Sequence, residues 1–228
     1  MTGRTSRRGP RGAGMTDSAG TASRVADALR EQIVSGELKP GTRLSEERMR
    51  KLHGVSRSTL REAYQRLIRE RLLVHELSRG VFVRQLSRED VADLYRIRRI
   101  VECAAVRSIR VLTPAGLRRL SVSVADGRTA AEESRWDDVA AASIRFHEAL
   151  VALAGSERLD VMMSGILAEF RLAYAHMRDT QVFHAAYLDR NKEIAEALSS
   201  GDVEGAAALL EAYLTDSEAA LCEGHFVK

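Results

Sequence analysis

The chain has 228 residues, of which 45% are hydrophobic and 29% charged, with a formal net charge of +3. That length suits one large domain or two small ones, and no apolar run approaches the roughly 18–20 residues that span a bilayer, so no membrane partner is expected. Cys103 and Cys222 form neither a disulfide framework nor a CxxC metal motif, and no apolar stretch follows the basic N-terminus to make a secretory signal, so a cytoplasmic protein is expected.

Residues 1–20 are rich in Gly, Arg, Ser and Thr and have almost nothing to bury, which predicts a disordered basic tail; Met15 is an alternative start to Met1. Val25, Leu29 and Ile33 then recur at helical spacing and predict a first helix over 23–35, closed by Gly36. Pro40-Gly41 makes a turn. Ser45 is placed to cap a second helix, with Glu46 and Glu47 at its positive end and Gly54 as its stop. Ser56 caps a third helix, which runs to about Arg71 and turns Leu60, Ala63, Tyr64 and Leu67 inward. Segments 73–76 and 81–84 read as the strands of a hairpin with Ser78-Arg79-Gly80 at its tip. Beyond Ser87 apolar residues keep helical spacing to the end. Breaks predict helices over 88–111, 114–132, 136–154, 157–178, 182–199 and 202–222, with Ser87 and Asp90 as a capping box and Thr113-Pro114 as a start signal. The expected fold is mainly α: a winged helix-turn-helix over 21–86, then an antiparallel bundle of about six helices over 87–228.

Charge divides with this organisation. Residues 1–88 hold nineteen Lys and Arg against nine Asp and Glu, whereas residues 89–228 hold sixteen against twenty-three. The front half suits a polyanion and the rear half does not. Within the third helix, Arg57 and Arg61 are spaced i, i+4 and project from one side, where each can grip guanine or phosphate with its planar fork. Ser56, Ser58 and Thr59 can contact phosphates at the helix start, and Arg79 with Gly80 can reach a neighbouring groove from the wing tip. Arg66 and Arg69 either join this face or merely solvate the helix. The layout predicts a reader of double-stranded DNA.

Residues 29–83 resemble the DNA-binding domain of GntR-family bacterial transcription regulators through "SGELKPGTRLSE", "GVSRSTLREAYQRL" and "RGVFV". The rear half resembles the helical FCD domain of the FadR-like branch through "LYRIRRIVE", "FHEALVALAGSERL" and "KEIAEALSSGD". The resemblance implies a homodimer held by its rear domains, binding a palindromic operator and controlled by a small metabolite in the helical domain. There are departures. Glu47 stands where the family usually has a DNA-contacting arginine, Arg71 replaces the usual glycine after the recognition helix, and Leu52-His53 reverses the usual polar-then-apolar order.

Many members of that branch hold a divalent metal through an Asp, a His four residues later and two further histidines. The corresponding residues are Ser143, His147, Asn191 and Tyr213. One imidazole with a hydroxyl, an amide and a phenol is a poor metal set, so no metal and no other cofactor is expected. His176 and His184 could supply imidazoles from elsewhere, but an i, i+8 pair cannot converge closely on one helix face. The same four positions still read as an effector pocket, because polar groups on apolar helix faces need a partner or a ligand. Arg98 joins them from the Leu94, Ile97, Val101 stripe. A buried arginine needs an anion, either a carboxylate or phosphate on the effector or Glu102 at i+4. His147 is equally readable as a hydrogen-bonded core histidine. An enzyme is not expected: His147-Glu148 is the only suggestive acid–base pair, its members point about 100° apart on a helix, and no nucleophile elbow, phosphate loop or HExxH is present. The expected function is a DNA-binding repressor controlled by a small acidic metabolite. The alternative is a regulator whose bundle only dimerises or docks a protein.

Overall fold

A computed structural model describes residues 13–174 and 180–225. The chain divides into two compact units between Arg84 and Gln85.

In the first unit, α1 (Ala13–Val34) lays Ala22, Val25, Ala26, Leu29 and Ile33 against α3 (Arg57–Arg69), which answers with Leu60, Ala63 and Leu67. Arg30 adds a bidentate ion pair across this seam, its Nε and Nη2 each donating to a Glu70 carboxylate oxygen at 2.8 Å. The helix opens well before residue 23, so the segment expected to be disordered over 1–20 is helical from Ala13 onward; residues 1–12 lie outside the described residues. The physical reason is cooperativity: once the packed turns from Ala22 onward are formed, adding further Ala- and Met-containing turns needs no new nucleus.

The short α2 (Glu46–His53) carries the expected caps. Ser45 Oγ accepts from Arg48 N at 3.4 Å, and Gly54 ends the helix at φ 64°. The reversed Leu52-His53 order has a structural counterpart, since Leu52 faces out at 62% exposure while His53 is half-buried. Three antiparallel strands complete the unit in the order β1 (Arg43–Leu44), β3 (Gly80–Val83), β2 (Leu73–Glu76), with Leu73 opposite Val83 and Arg43 opposite Phe82. The third strand starts one residue earlier than expected, and β1 is too short for alternation to betray it.

Arg71 follows α3 at φ 58°, a left-handed conformation that an L side chain adopts at a cost. Arg71→Gly is therefore expected to raise stability by about 0.5–1 kcal/mol, the strain relieved less glycine's own entropy loss. Urea unfolding of the two proteins measures it, and equal midpoints would show that Arg71 bears no strain.

Among the described residues, the regular elements of the second unit are helices: α4 (Arg88–Arg107), α5 (Pro114–Glu132), α6 (Trp136–Ala152), α7 (Glu157–Tyr174), α8 (Thr180–Ser199) and α9 (Val203–His225). The start signals act as read. Ser87 and Asp90 exchange side-chain-to-backbone hydrogen bonds at 2.9 and 3.1 Å, and Thr113 Oγ1 accepts from Gly116 N at 3.1 Å ahead of Pro114. Central α6 packs on α4, α5, α7 and α8, and α9 closes the core against α4 and α8. Phe146, Leu150, Met163, Leu167, Phe170 and Leu210 fill the interior. Of the α4 stripe, Leu94 is buried and Arg98 points into the core as read from sequence, but Ile97 faces outward, as does Ile100.

Candidate functional site

The helix α3 presents one polar face. Ser56 caps it by accepting from Thr59 N at 3.1 Å, and its hydroxyl lies 2.8 Å from those of both Ser58 and Thr59. Thr59 is buried and its hydroxyl shares the cap, so it is the least accessible of the expected contacts. Arg57, Ser58 and Arg61 are exposed, as expected of groove-facing residues, and Gln65 and Arg69 extend the row at spacings of four. Arg66 does not belong to this face; it reaches Ser23 on α1 and pairs with Glu62 at 2.8 Å.

Arg61 is already engaged in the free protein. Its Nε and Nη2 donate to the two carboxylate oxygens of Glu46 at 3.1 and 3.4 Å. This pair lines a cleft of about 600 Å³ between the start of α2, α3 and the sheet, shared with Arg43, Tyr64, Gln65 and Gly80. At the wing, Arg79 is exposed, pairs with Glu76 and lies over the Phe82 ring at 5.3 Å. Gly80 has φ 112°, a backbone conformation that L side chains rarely adopt, and this is what calls for glycine at the tip; a Cβ there would make only ordinary contact with Arg43 Nε at 3.4 Å. Arg43, Glu46 and Gln65 were missed as site residues. Gln65 could have been found as the next i+4 position after Arg61, and Arg43 sits within "SGELKPGTRLSE".

The second site is a polar cluster closed inside the helical unit. Arg98, Glu102 and His147 are 1%, 0% and 1% exposed. Arg98 Nε donates to Glu102 Oε1 at 2.6 Å, and His147 Nδ1 lies 2.6 Å from Glu102 Oε2. Arg98 thus takes its anion from Glu102 within its own helix, one of the two partners open to it from sequence. Its guanidinium also stacks over Phe170 at 4.6 Å and Tyr95 at 5.4 Å. Burial works against each charge, but the pair more than compensates: Glu102 keeps the guanidinium above its usual range, and Arg98 with His147 holds the carboxyl below its own. Burial keeps His147 below the usual imidazole range, hence neutral, despite the neighbouring carboxylate. Ser143 Oγ lies 3.5 Å from Tyr213 OH, and the Tyr213 ring is 5.2 Å from that of His147. Asn191 is buried on α8. Among the described residues of this unit, four buried polar atoms have no partner: Arg98 Nη2, His147 Nε2, His184 Nε2 and Asn191 Oδ1.

These residues do not fit a divalent metal. Burial pushes the Tyr213 phenol up, so it stays protonated, and the serine and amide are weak donors. Among the described residues no group of three His, Cys, Asp or Glu side chains could hold an ion. Of the two further imidazoles, His176 lies outside the described residues, and His184 is buried edge-on to Tyr174 at 4.7 Å.

Burial alone lowers the His184 pKa to about 4. The unfolded chain takes up this proton first, near pH 6.5, so stability is undiminished above about pH 7 and falls between 6.5 and about 4. The expected loss from this residue is up to about 3 kcal/mol. Urea midpoints at pH 7.5 and 4.5 check it: His184→Gln should flatten the decline, and an unchanged slope would remove His184 as its source.

The family model described as "Bacterial regulatory proteins, gntR family" matches residues 21–83, and that of the FCD domain matches residues 93–216. The chain belongs to the GntR family, in its FCD-domain branch. A solved GntR protein from Rhodococcus sp. RHA1 is 42% identical, superposes with a TM-score of 0.83 and covers 90% of this chain and 98% of its own. McbR/YncC of E. coli, 21% identical with a TM-score of 0.73 over 89% of this chain and 97% of its own, shares the fold. The HTH-type transcriptional repressor RspR of Escherichia coli K12 is 32% identical over 127 residues, which are 55% of this chain and 56% of that protein. The chain thus spans about half the length of the first curated relatives it matches. The GntR family, RspR and the Rhodococcus protein are transcriptional regulators by description, not enzymes. Among the described residues no helix is long and apolar enough to cross a membrane.

Proposed function

We propose that this GntR-family chain is a transcriptional repressor that reads a palindromic operator as a homodimer and responds to a small molecule held in its helical unit. The single observation that carries the DNA reading is the exposed Arg57–Arg61 face on a capped helix beside a basic wing. In this reading residues 21–86 bind DNA and residues 87–228 bind the effector and the second copy. Ile97 and Ile100, exposed on α4, are available to meet that copy. Repression is supported by the name of RspR, a transcriptional repressor. Arg98, Ser143, His147, Asn191 and Tyr213 form the effector site; the unpartnered polar atoms among them favour a ligand over a bundle that only dimerises. The expected anionic effector loses its main warrant, because the Arg98 charge is already matched by Glu102.

The test is selection of duplexes from a random library by the full chain, followed by footprinting. Enrichment of an inverted repeat with half-sites about one helical turn apart or closer supports the reading. Failure to enrich any sequence at low salt would end it.

A further inference from the structure

The buried cluster has a donor and acceptor balance that defines what it can take. Glu102 receives Arg98 Nε on one oxygen and faces His147 Nδ1 with the other. A carboxylate has no proton to give, so Nδ1 carries the imidazole proton and Nε2 of the neutral ring is a bare lone pair. That lone pair is buried and has no donor, while Arg98 Nη2 is buried and has no acceptor. Each orphan sits in a residue no more than 1% exposed, and Glu102 joins the two. Charge is balanced within the cluster. An acid placed there would set two anions against one guanidinium away from water, at a large desolvation cost. A metal ion would meet a guanidinium and a single free imidazole nitrogen. Aromatic rings stand beside these groups: Phe170 lies under the guanidinium, Tyr213 is beside His147, and Tyr174 lies edge-on to Phe170 at 5.0 Å.

We propose that the core of the helical unit binds, without a metal ion, an uncharged molecule bearing a hydroxyl and a carbonyl, the hydroxyl donating to His147 Nε2 and the carbonyl oxygen accepting from Arg98 Nη2. The ring-lined surroundings suit a flat or cyclic body. This rests on the effector reading above and deepens it.

The probes are methyl 2-, 3- and 4-hydroxybenzoate and α-hydroxy-γ-butyrolactone. Each is compared with its free acid and with its O-methyl ether. Thermal shift and calorimetry are run on the full chain treated with EDTA, with Zn²⁺ restored in a parallel arm. At least one ester or lactone is expected to bind about tenfold or more tightly than both its acid and its ether, since each analogue leaves a buried group unpaired or adds an unbalanced charge. Glu102→Gln removes the internal counter-charge at nearly constant volume and is expected to move the ester-to-acid ratio toward the acid by about tenfold; should that variant fail to fold, the panel on the native protein decides alone. An acid that binds more tightly than its ester, a need for Zn²⁺, an ether equal to its parent hydroxyl compound, or an unchanged ratio in the Glu102→Gln protein would each overturn the proposal. If an acid or a metal complex binds and alters operator affinity, the effector reading stands and only this inference falls. If no probe of any kind binds, so that ordered water alone satisfies the orphans, both fall.

Discussion

Changing Arg57 and Arg61 together to alanine is expected to lower affinity for the selected operator by a hundredfold or more, with little change in folding. Both side chains project from the exposed face of α3, so their removal leaves the Leu60, Ala63 and Leu67 seam intact. A bidentate contact to a base is worth about 1–3 kcal/mol, so two of them account for roughly 2–6 kcal/mol in each half-site. Arg61 first has to leave Glu46, but that pair is largely solvent-exposed and costs at most about 1 kcal/mol to break. Titrations at several salt concentrations separate the roles. Loss of base contacts erodes the ratio of operator to random-duplex affinity, whereas loss of phosphate contacts makes the salt dependence shallower. Arg66→Ala is the internal control, expected to weaken the α1–α3 seam and leave the specificity ratio alone, because its guanidinium is committed to Ser23 and Glu62. A double variant that keeps full discrimination would remove α3 as the reading element.

What was legible in the sequence was local. The Ser45, Ser56, Ser87 and Thr113 caps act within one helical turn, and the core stripes of α1 and α3 follow a period fixed by helix geometry, so both can be read from spacing. Arg98 with Glu102 was legible for the same reason, as an i, i+4 pair. Contacts that close across the fold were not. Arg61 finds Glu46 fifteen residues away, Arg66 finds Ser23 forty-three away, and His147 finds Glu102 forty-five away, and no periodicity encodes such pairings. The burial of Thr59 was not legible because its neighbours Ser56 and Ser58 share its chemistry, and only the packing of α3 shows which of the three turns inward. The helical start at Ala13 escaped composition because it depends on what the following turns are packed against.

Glu102→Leu is expected to cost about 3–5 kcal/mol, because it leaves a guanidinium buried without a counter-charge. The same change strips His147 Nδ1 of its acceptor, so two buried side chains lose their partner at once. Arg98→Met added to Glu102→Leu should recover part of that loss, since the double variant removes the stranded charge and places apolar atoms between Tyr95 and Phe170. Recovery stays incomplete while His147 lacks a partner. Changing His147→Phe as well tests this, at the risk of overpacking beside Tyr213. Urea unfolding at pH 7.5 measures each step, and acid separates Glu102 from His184. The carboxyl is held below its usual value of 4.5, so its contribution is intact above that pH and is lost as pH falls through the lower folded value, beneath most of the His184 window. A single variant that lost under about 1 kcal/mol would mean that water reaches the guanidinium, and the charge balance that selects an uncharged ligand would no longer hold.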